Sequence, residues 1–139
     1  MTTKIFIAID DQEHSGYAVD KAIEIARISA SQLIFFMANP AVLPGRGPVV
    51  HRWTKDYIDG YFNNARSRSR QSGVYDTIFV TKNAVDVETA ILAEAKSVEA
   101  DYIVVGSNCA PRLLGDWRHS ISRVVAMKAH CPTIIVHNL

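Results

Sequence analysis

The sequence predicts an α/β domain in which a mainly parallel β-sheet carries helices on both faces. Five short apolar segments are rich in β-branched and aromatic residues, and they are continuous rather than alternating, as strands covered on both faces are. Amphipathic helical patterns separate these segments. The chain has 139 residues, 48% of them hydrophobic and 21% charged, which is typical of a single globular domain over residues 1–139.

The predicted strands are Ile5–Ile9, Leu33–Met37, Thr77–Thr81, Tyr102–Val105 and Thr133–Val136. Because they alternate with helical patterns, the connections are expected to be right-handed crossovers between parallel strands.

The helices are predicted from apolar residues spaced three and four apart. The stripes comprise Val19, Ala22, Ile23 and Ala26 in the first helix; Trp53, Tyr57, Tyr61, Ile58, Phe62 and Ala65 in the second; and Val87, Ala90, Ile91, Ala95 and Val98 in the third. Asn83 or Asp86 is expected to cap the third helix, and Ser120 to cap a fourth.

Two other segments allow two interpretations each. The segment from Asn39 to Val50 contains three prolines and two glycines and predicts an irregular loop, either a lid over a site or a surface connector. The three arginines of Arg66–Arg70 fit a solvated helix end better than a phosphate-backbone patch.

Charge and composition argue against several classes of partner. The net charge of +1 gives no overall field for nucleic acid or membrane, and no apolar run reaches the roughly 20 residues of a membrane span. Met1–Lys4 lead directly into a strand, so no signal peptide is expected, and Cys109 and Cys131 form no recognisable pair. A reducing, cytoplasmic compartment is therefore expected.

The connection after the fourth strand is unusually long. It runs over fourteen positions, Gly106–His119, where a strand-to-helix connection usually takes about 2–6 residues. This length predicts a ligand-handling loop.

Motifs spread over the whole chain resemble the universal stress protein family. They are Ile7–Asp10 followed by Glu13-His14-Ser15, Ala90-Ile-Leu92 followed by Ala100–Ser107, and His130–Val136. The resemblance implies a Rossmann-like fold of the adenine nucleotide alpha hydrolase-like type, with a five-stranded parallel sheet in the order 3-2-1-4-5. In that order a crevice opens at the carboxyl ends of strands 1 and 4, where Asp10 and Gly106 are expected.

In nucleotide-binding members of this family, the loop after strand 4 reads Gly-x2-Gly-x9-Gly-Ser/Thr. Here Gly106 and Ser120 match the first and last positions, but Cys109 and His119 replace the other two glycines. An ordinary residue in a left-handed backbone position costs about 1–2 kcal/mol, so weak conventional ATP binding is expected. Arg112 and Arg118 either compensate by binding phosphate or are solvated surface residues.

The resemblance implies a nucleotide site for ATP, ADP or AMP with Mg²⁺. Its candidate residues are Ala8, Asp10, Ala38, Val105, Gly106, Cys109, Arg112, Arg118, His119, Ser120 and Ile121. It also implies a homodimer through the apolar strand at the edge of the sheet, with Thr133, Ile134, Ile135, Val136 and His137 as its interface residues.

Other chemistry is not supported by the spacing of residues. His130, Cys131 and His137 lack a recognised zinc pattern, so no metal site is predicted. Cys109 beside His119 is either a redox-sensitive thiol or an ordinary cysteine, and no catalytic residue is identified.

Three functions follow, in order of preference. The first is a dimeric binding protein that acts in stress tolerance or regulation through an unknown protein partner. The second is an adenine-nucleotide switch that uses the crevice at strands 1 and 4. The third, a slow nucleotide hydrolase, has no identifiable base.

Overall fold

The structure, a computed structural model, describes residues 2–42, 45–107 and 121–137. Its strands are β1 (Lys4–Ala8), β2 (Gln32–Val42), β3 (Val50–His51), β4 (Thr77–Ala84), β5 (Tyr102–Ser107) and β6 (Thr133–His137). Its helices are α1 (Glu13–Ser29), α2 (Lys55–Gln71), α3 (Val87–Ser97) and α4 (Ile121–Lys128). The predicted Ser120 cap of the fourth helix lies outside the described residues.

Five strands form a parallel sheet in the order β4-β2-β1-β5-β6. This confirms the predicted order 3-2-1-4-5. One additional strand, β3, was not predicted, and it pairs antiparallel with the end of β2.

Each face of the sheet has its own apolar core. Successive residues of β1 alternate between the two faces: Ile5 and Ile7 pack with buried side chains of α1 and α2, whereas Phe6 packs under α3 and α4. Because both faces are covered, the central strands need apolar side chains at consecutive positions, which explains why their pattern is continuous.

The structure confirms Ile58, Phe62 and Ala65 on the buried face of the second helix but corrects the places of Trp53 and Tyr57. Thr54 caps α2 by accepting a hydrogen bond from the backbone N–H of Tyr57 at 3.2 Å, so Trp53 precedes the helix. Tyr57 is 44% exposed, and the buried face is formed by Ile58, Phe62, Ala65 and Ser69. For α3, Asp86 rather than Asn83 is the cap, accepting from the N–H of Thr89.

The segment from Asn39 to Val50, predicted as an irregular loop, begins in β2 and ends in β3. β2 continues through Pro40 to Val42 because β4 pairs with it up to Pro40, and β3 joins beyond that point. The Asn39 amide accepts from the N–H of Trp53 at 2.9 Å and donates to its carbonyl at 2.8 Å. A buried side chain therefore fixes the return of the chain into α2.

The arginines of α2 make specific contacts, contrary to the expected solvated helix end. The Arg66 guanidinium lies 4.3 Å from the ring centre of Phe79 in β4. Arg68 forms an ion pair with Asp20 and donates to the carbonyl of Gly16, both in α1. Two of the three arginines thus attach α2 to its neighbours. None of the described helices has the length and apolar character needed to cross a membrane.

Candidate functional site

The carboxyl ends of the central strands bring several predicted site residues together. Ala8 is paired with Val105 of β5 on one side and with Phe36 of β2 on the other. The next residue, Ile9, donates its N–H to the carbonyl of Phe36 at 2.8 Å. Ala38 lies two residues further along β2 and is buried. Ala8, Ala38 and Val105 therefore lie at the same edge of the sheet, at the switch point between β1 and β5.

Asp10 follows β1 and organises the first turn of α1. Its Oδ1 accepts from the N–H of Gln12 at 2.8 Å and from the hydroxyl of Ser15 at 2.6 Å. Its own N–H donates to the same hydroxyl at 2.9 Å. Gln12, the N-cap residue, makes no capping hydrogen bond with its side chain, and the Asp10 carboxylate instead accepts the backbone N–H of this residue.

Gly106 lies within β5, where the strand touches the start of α1. A β-carbon at this position would lie 2.7 Å from the carbonyl carbon of His14 and 2.8 Å from its Cδ2. Such distances are well inside the roughly 3.5–4.0 Å of favourable carbon–carbon contact. The glycine is therefore required for close packing of strand and helix, whether or not a phosphate approaches it.

His14 is a site residue that sequence analysis missed. Its Nε2 lies 3.3 Å from Oδ2 of Asp10, and its ring contacts the position where Gly106 lacks a side chain. The spacing of four between Asp10 and His14 is a signal of contact, although the sequence alone did not show which helix face meets β5. Asp10, His14 and Gly106 thus form one continuous surface at the switch point.

A second cluster lies beside Asp10, on the α2 side of α1. We call it the Asp11 corner, and it consists of Asp11, Arg52, Tyr57 and Tyr61. The hydrogen bond with Tyr57, burial, and the negative charges of Asp11 and Asp10 raise the pKa of Tyr61 to about 12. A cavity of about 220 Å³ adjoins this corner, between α1 and α2.

Five of the predicted site residues belong to the long loop after β5. Cys109, Arg112, Arg118, His119 and Ser120 lie outside the described residues. Ile121, the last candidate of the set, begins the described part of α4 and is 37% exposed.

The predicted interface strand lies at the edge of the sheet. Within the described residues, β6 pairs with β5 alone, in the register Val105↔Ile135. Ile134 and Val136 pack toward the α1–α2 core and Ile135 toward the other core, whereas His137 is exposed. The outer backbone edge of β6 faces away from β5.

Metal and thiol chemistry find no structural support in the described ranges. No three histidine, cysteine or acidic side chains converge there as ligands. Burial and then the charge of Asp101 raise the pKa of the Cys131 thiol, which makes it a poorer nucleophile.

The fold defines a class of protein: a doubly wound α/β domain, a class whose members hold ligands at the switch point of the sheet. The model of the universal stress protein family matches residues 1–137, and the chain belongs to that family. A comparison with curated protein sequences gave no significant match.

Solved structures with the same fold include universal stress proteins with bound nucleotides. One, in complex with cAMP, is 24% identical with a TM-score of 0.75, over 97% of this chain and 96% of that one. A protein from Archaeoglobus fulgidus in complex with dAMP is 21% identical with a TM-score of 0.68, over 96% and 97%. A protein from Arabidopsis thaliana with AMP bound is 19% identical with a TM-score of 0.65, over 99% and 92%. These likenesses establish the fold.

Proposed function

We propose that this chain binds an adenosine monophosphate in the crevice between β1 and β5 and acts as a nucleotide-dependent regulator in the stress response. The observation that carries the proposal is the continuous surface of Asp10, His14 and Gly106 at the switch point. The cAMP, dAMP and AMP complexes of proteins with the same fold add support.

Each candidate residue has a proposed role. Ala8 and Asp10 contact the adenosine, Ala38 offers backbone groups to adenine, and Val105 and Gly106 border the ribose. Two donors engage Oδ1 of Asp10, whereas Oδ2 lies 3.3 Å from Nε2 of His14 and keeps acceptor capacity for a ribose hydroxyl.

The loop sequence favours one phosphate over three. Ser120 and Ile121 would offer N–H groups at the start of α4, with Arg112 and Arg118 nearby in sequence. The substitutions Cys109 and His119 fall where nucleotide-binding relatives have glycine, which disfavours close approach of a longer phosphate chain. Mg²⁺, which bridges phosphates, is correspondingly not required in this proposal.

Calorimetric titration with AMP, cAMP, ADP and ATP, with and without Mg²⁺, tests this function. Bound nucleotide is first removed, and identified by chromatography of denatured protein. We expect saturable AMP binding that is as tight as ATP binding or tighter. Asp10→Asn should weaken it about tenfold. Asp76→Asn, at the opposite end of the sheet, should leave it unchanged. No saturable binding of any nucleotide would refute the proposal.

A homodimer is the second part of the proposal, and it keeps the partner-binding alternative open. The outer edge of β6, Thr133–His137, is an apolar strand that a second copy can pair with across a twofold axis. Sedimentation equilibrium at micromolar concentration should give a dimer, and a monomer would contradict it. We further propose one domain over residues 1–139, a cytoplasmic location and no turnover of the nucleotide.

A further inference from the structure

The carboxylate of Asp11 is largely covered but poorly provided with hydrogen-bond donors. Its side chain is only 15% exposed. Oδ1 accepts from the exposed side-chain amide of Gln12 at 3.1 Å, while Oδ2 lies 3.5 Å from the Tyr57 hydroxyl and 4.0 Å from Nη2 of Arg52. These are the contacts that the described part of the chain provides.

Such a carboxylate still has acceptor positions to fill. An ionised carboxylate offers about four, and removing it from water is costly unless strong donors replace the water. The 3.5 and 4.0 Å separations lie at or beyond the limit of a hydrogen bond. Arg52 provides the chemistry that fits, but its side chain is 56% exposed and lies at the long limit of an ion pair.

Aromatic rings flank the same carboxylate. The rings of Tyr57 and Tyr61 meet edge to face with centres 5.3 Å apart, and the ring centre of Trp53 lies 6.4 Å from that of Tyr57. The face of an aromatic ring attracts a cation, and Tyr57 is 44% exposed. The raised pKa of Tyr61 agrees with a negative potential, because Asp11 and Asp10 contribute to it.

We propose that the Asp11 corner binds an arginine side chain presented by a partner protein. A guanidinium matches a carboxylate with two parallel hydrogen bonds and also stacks on tyrosine, whereas an ammonium does neither as well. The position near Asp11 is loosely held by this chain's own Arg52, which an incoming arginine would displace.

A protein-borne arginine suits this surface better than the free amino acid. The cavity beside the corner is lined by Asp10, Asp11 and Glu13. The corner is open, since Tyr57 is 44% exposed and the Arg52 side chain 56% exposed, whereas a site for a free small molecule encloses most of its ligand. The corner lies on the α2 side of α1, and Asp10 lines the cavity beside it, so this site adjoins the proposed nucleotide crevice.

The probe is a capped tripeptide, acetyl-Gly-Arg-Gly-amide, and its control is the same peptide with citrulline, an uncharged isostere. Titration of ¹⁵N-labelled protein should give saturable amide shifts at Asp11, Gln12, Arg52 and Tyr57 with the arginine peptide only. Equal binding of the citrulline peptide would overturn the proposal.

Two variants give opposite expected results. Asp11→Asn should weaken peptide binding about tenfold, whereas Arg52→Ala should tighten it about twofold to fivefold by removing the competing guanidinium. Asp56→Asn, an exposed carboxylate in the first turn of α2, is the matched control and should change nothing. Unchanged affinity in Asp11→Asn, or weaker binding in Arg52→Ala, refutes the site. AMP affinity is measured in parallel, so that a loss of peptide binding can be distinguished from a loss of nucleotide binding.

Discussion

Replacing Gly106 with alanine separates a packing role of this glycine from a role in phosphate binding. The added methyl group would lie 2.7 Å from the carbonyl carbon of His14 and 2.8 Å from its ring, and closer still to its carbonyl oxygen. Two of these three atoms belong to the backbone of α1, so no rotation of a side chain relieves the contact. The helix start must move away from β5.

The expected cost is set by that enforced movement. Overpacking of a core typically costs 1–3 kcal/mol, and a backbone neighbour places this case near about 3 kcal/mol. For a chain of this length, this free energy corresponds to a melting temperature lower by about 10 °C. Urea unfolding followed by circular dichroism measures the loss directly.

Gly60→Ala is the matched control. Gly60 lies inside α2 with no atom within 4 Å of an added β-carbon. Alanine there should stabilise the protein by about 0.5–1 kcal/mol, because it lowers the entropy of the unfolded chain and favours the helix. If Gly106→Ala unfolds at the wild-type urea concentration and only nucleotide affinity falls, then the packing argument is wrong.

Three further predictions concern stability and titration. Lys82→Ala should destabilise the protein by about 1–3 kcal/mol in urea unfolding, because Lys82 pairs at 2.7 Å with the buried carboxylate of Glu94. Adding Glu94→Gln to this variant should recover most of the lost stability. Asn39→Ala should cost about 2–4 kcal/mol by the same assay, because it leaves the buried N–H and C=O of Trp53 without their partner; a loss below 1 kcal/mol would contradict this. Tyr61 should ionise near pH 12 in an ultraviolet titration, and Tyr61→Phe should remove that step. The pKa of Tyr61 in the folded state is above the ordinary 10. Its contribution to the free energy of unfolding is therefore complete below pH 10 and is lost as the pH rises toward 12.

The sequence predicted the sheet well because its signals are local. Each central strand is a continuous apolar run, and each helix has a periodic face, so the five parallel strands and four helices were found within a few residues. The resemblance to a family supplied the strand order, which periodicity alone does not contain.

Two of the misses involve contacts between distant residues, and one is a local helix boundary. Pro40 suggested that β2 ends before it, yet the strand continues to Val42. The Pro40 carbonyl accepts from the N–H of Arg52, and β3 and β4 both pair with this part of β2. Trp53 followed the helical spacing of Tyr57 but precedes the helix, and the Thr54 cap was the signal that would have located the boundary. His14 could not be assigned to the crevice because helical spacing does not reveal which face meets β5.

The acidic start of α1 determines where an anionic ligand can be held. Asp10, Asp11 and Glu13 surround this helix N-terminus, and the Asp10 carboxylate already accepts the N–H of Gln12. These charges oppose the attraction that the helix dipole would otherwise exert on a phosphate. The start of α1 is therefore suited to neutral hydrogen-bonding groups such as a ribose hydroxyl. We therefore propose that a phosphate in the same crevice is held from the other side, at the start of α4, so that the two helices have different tasks.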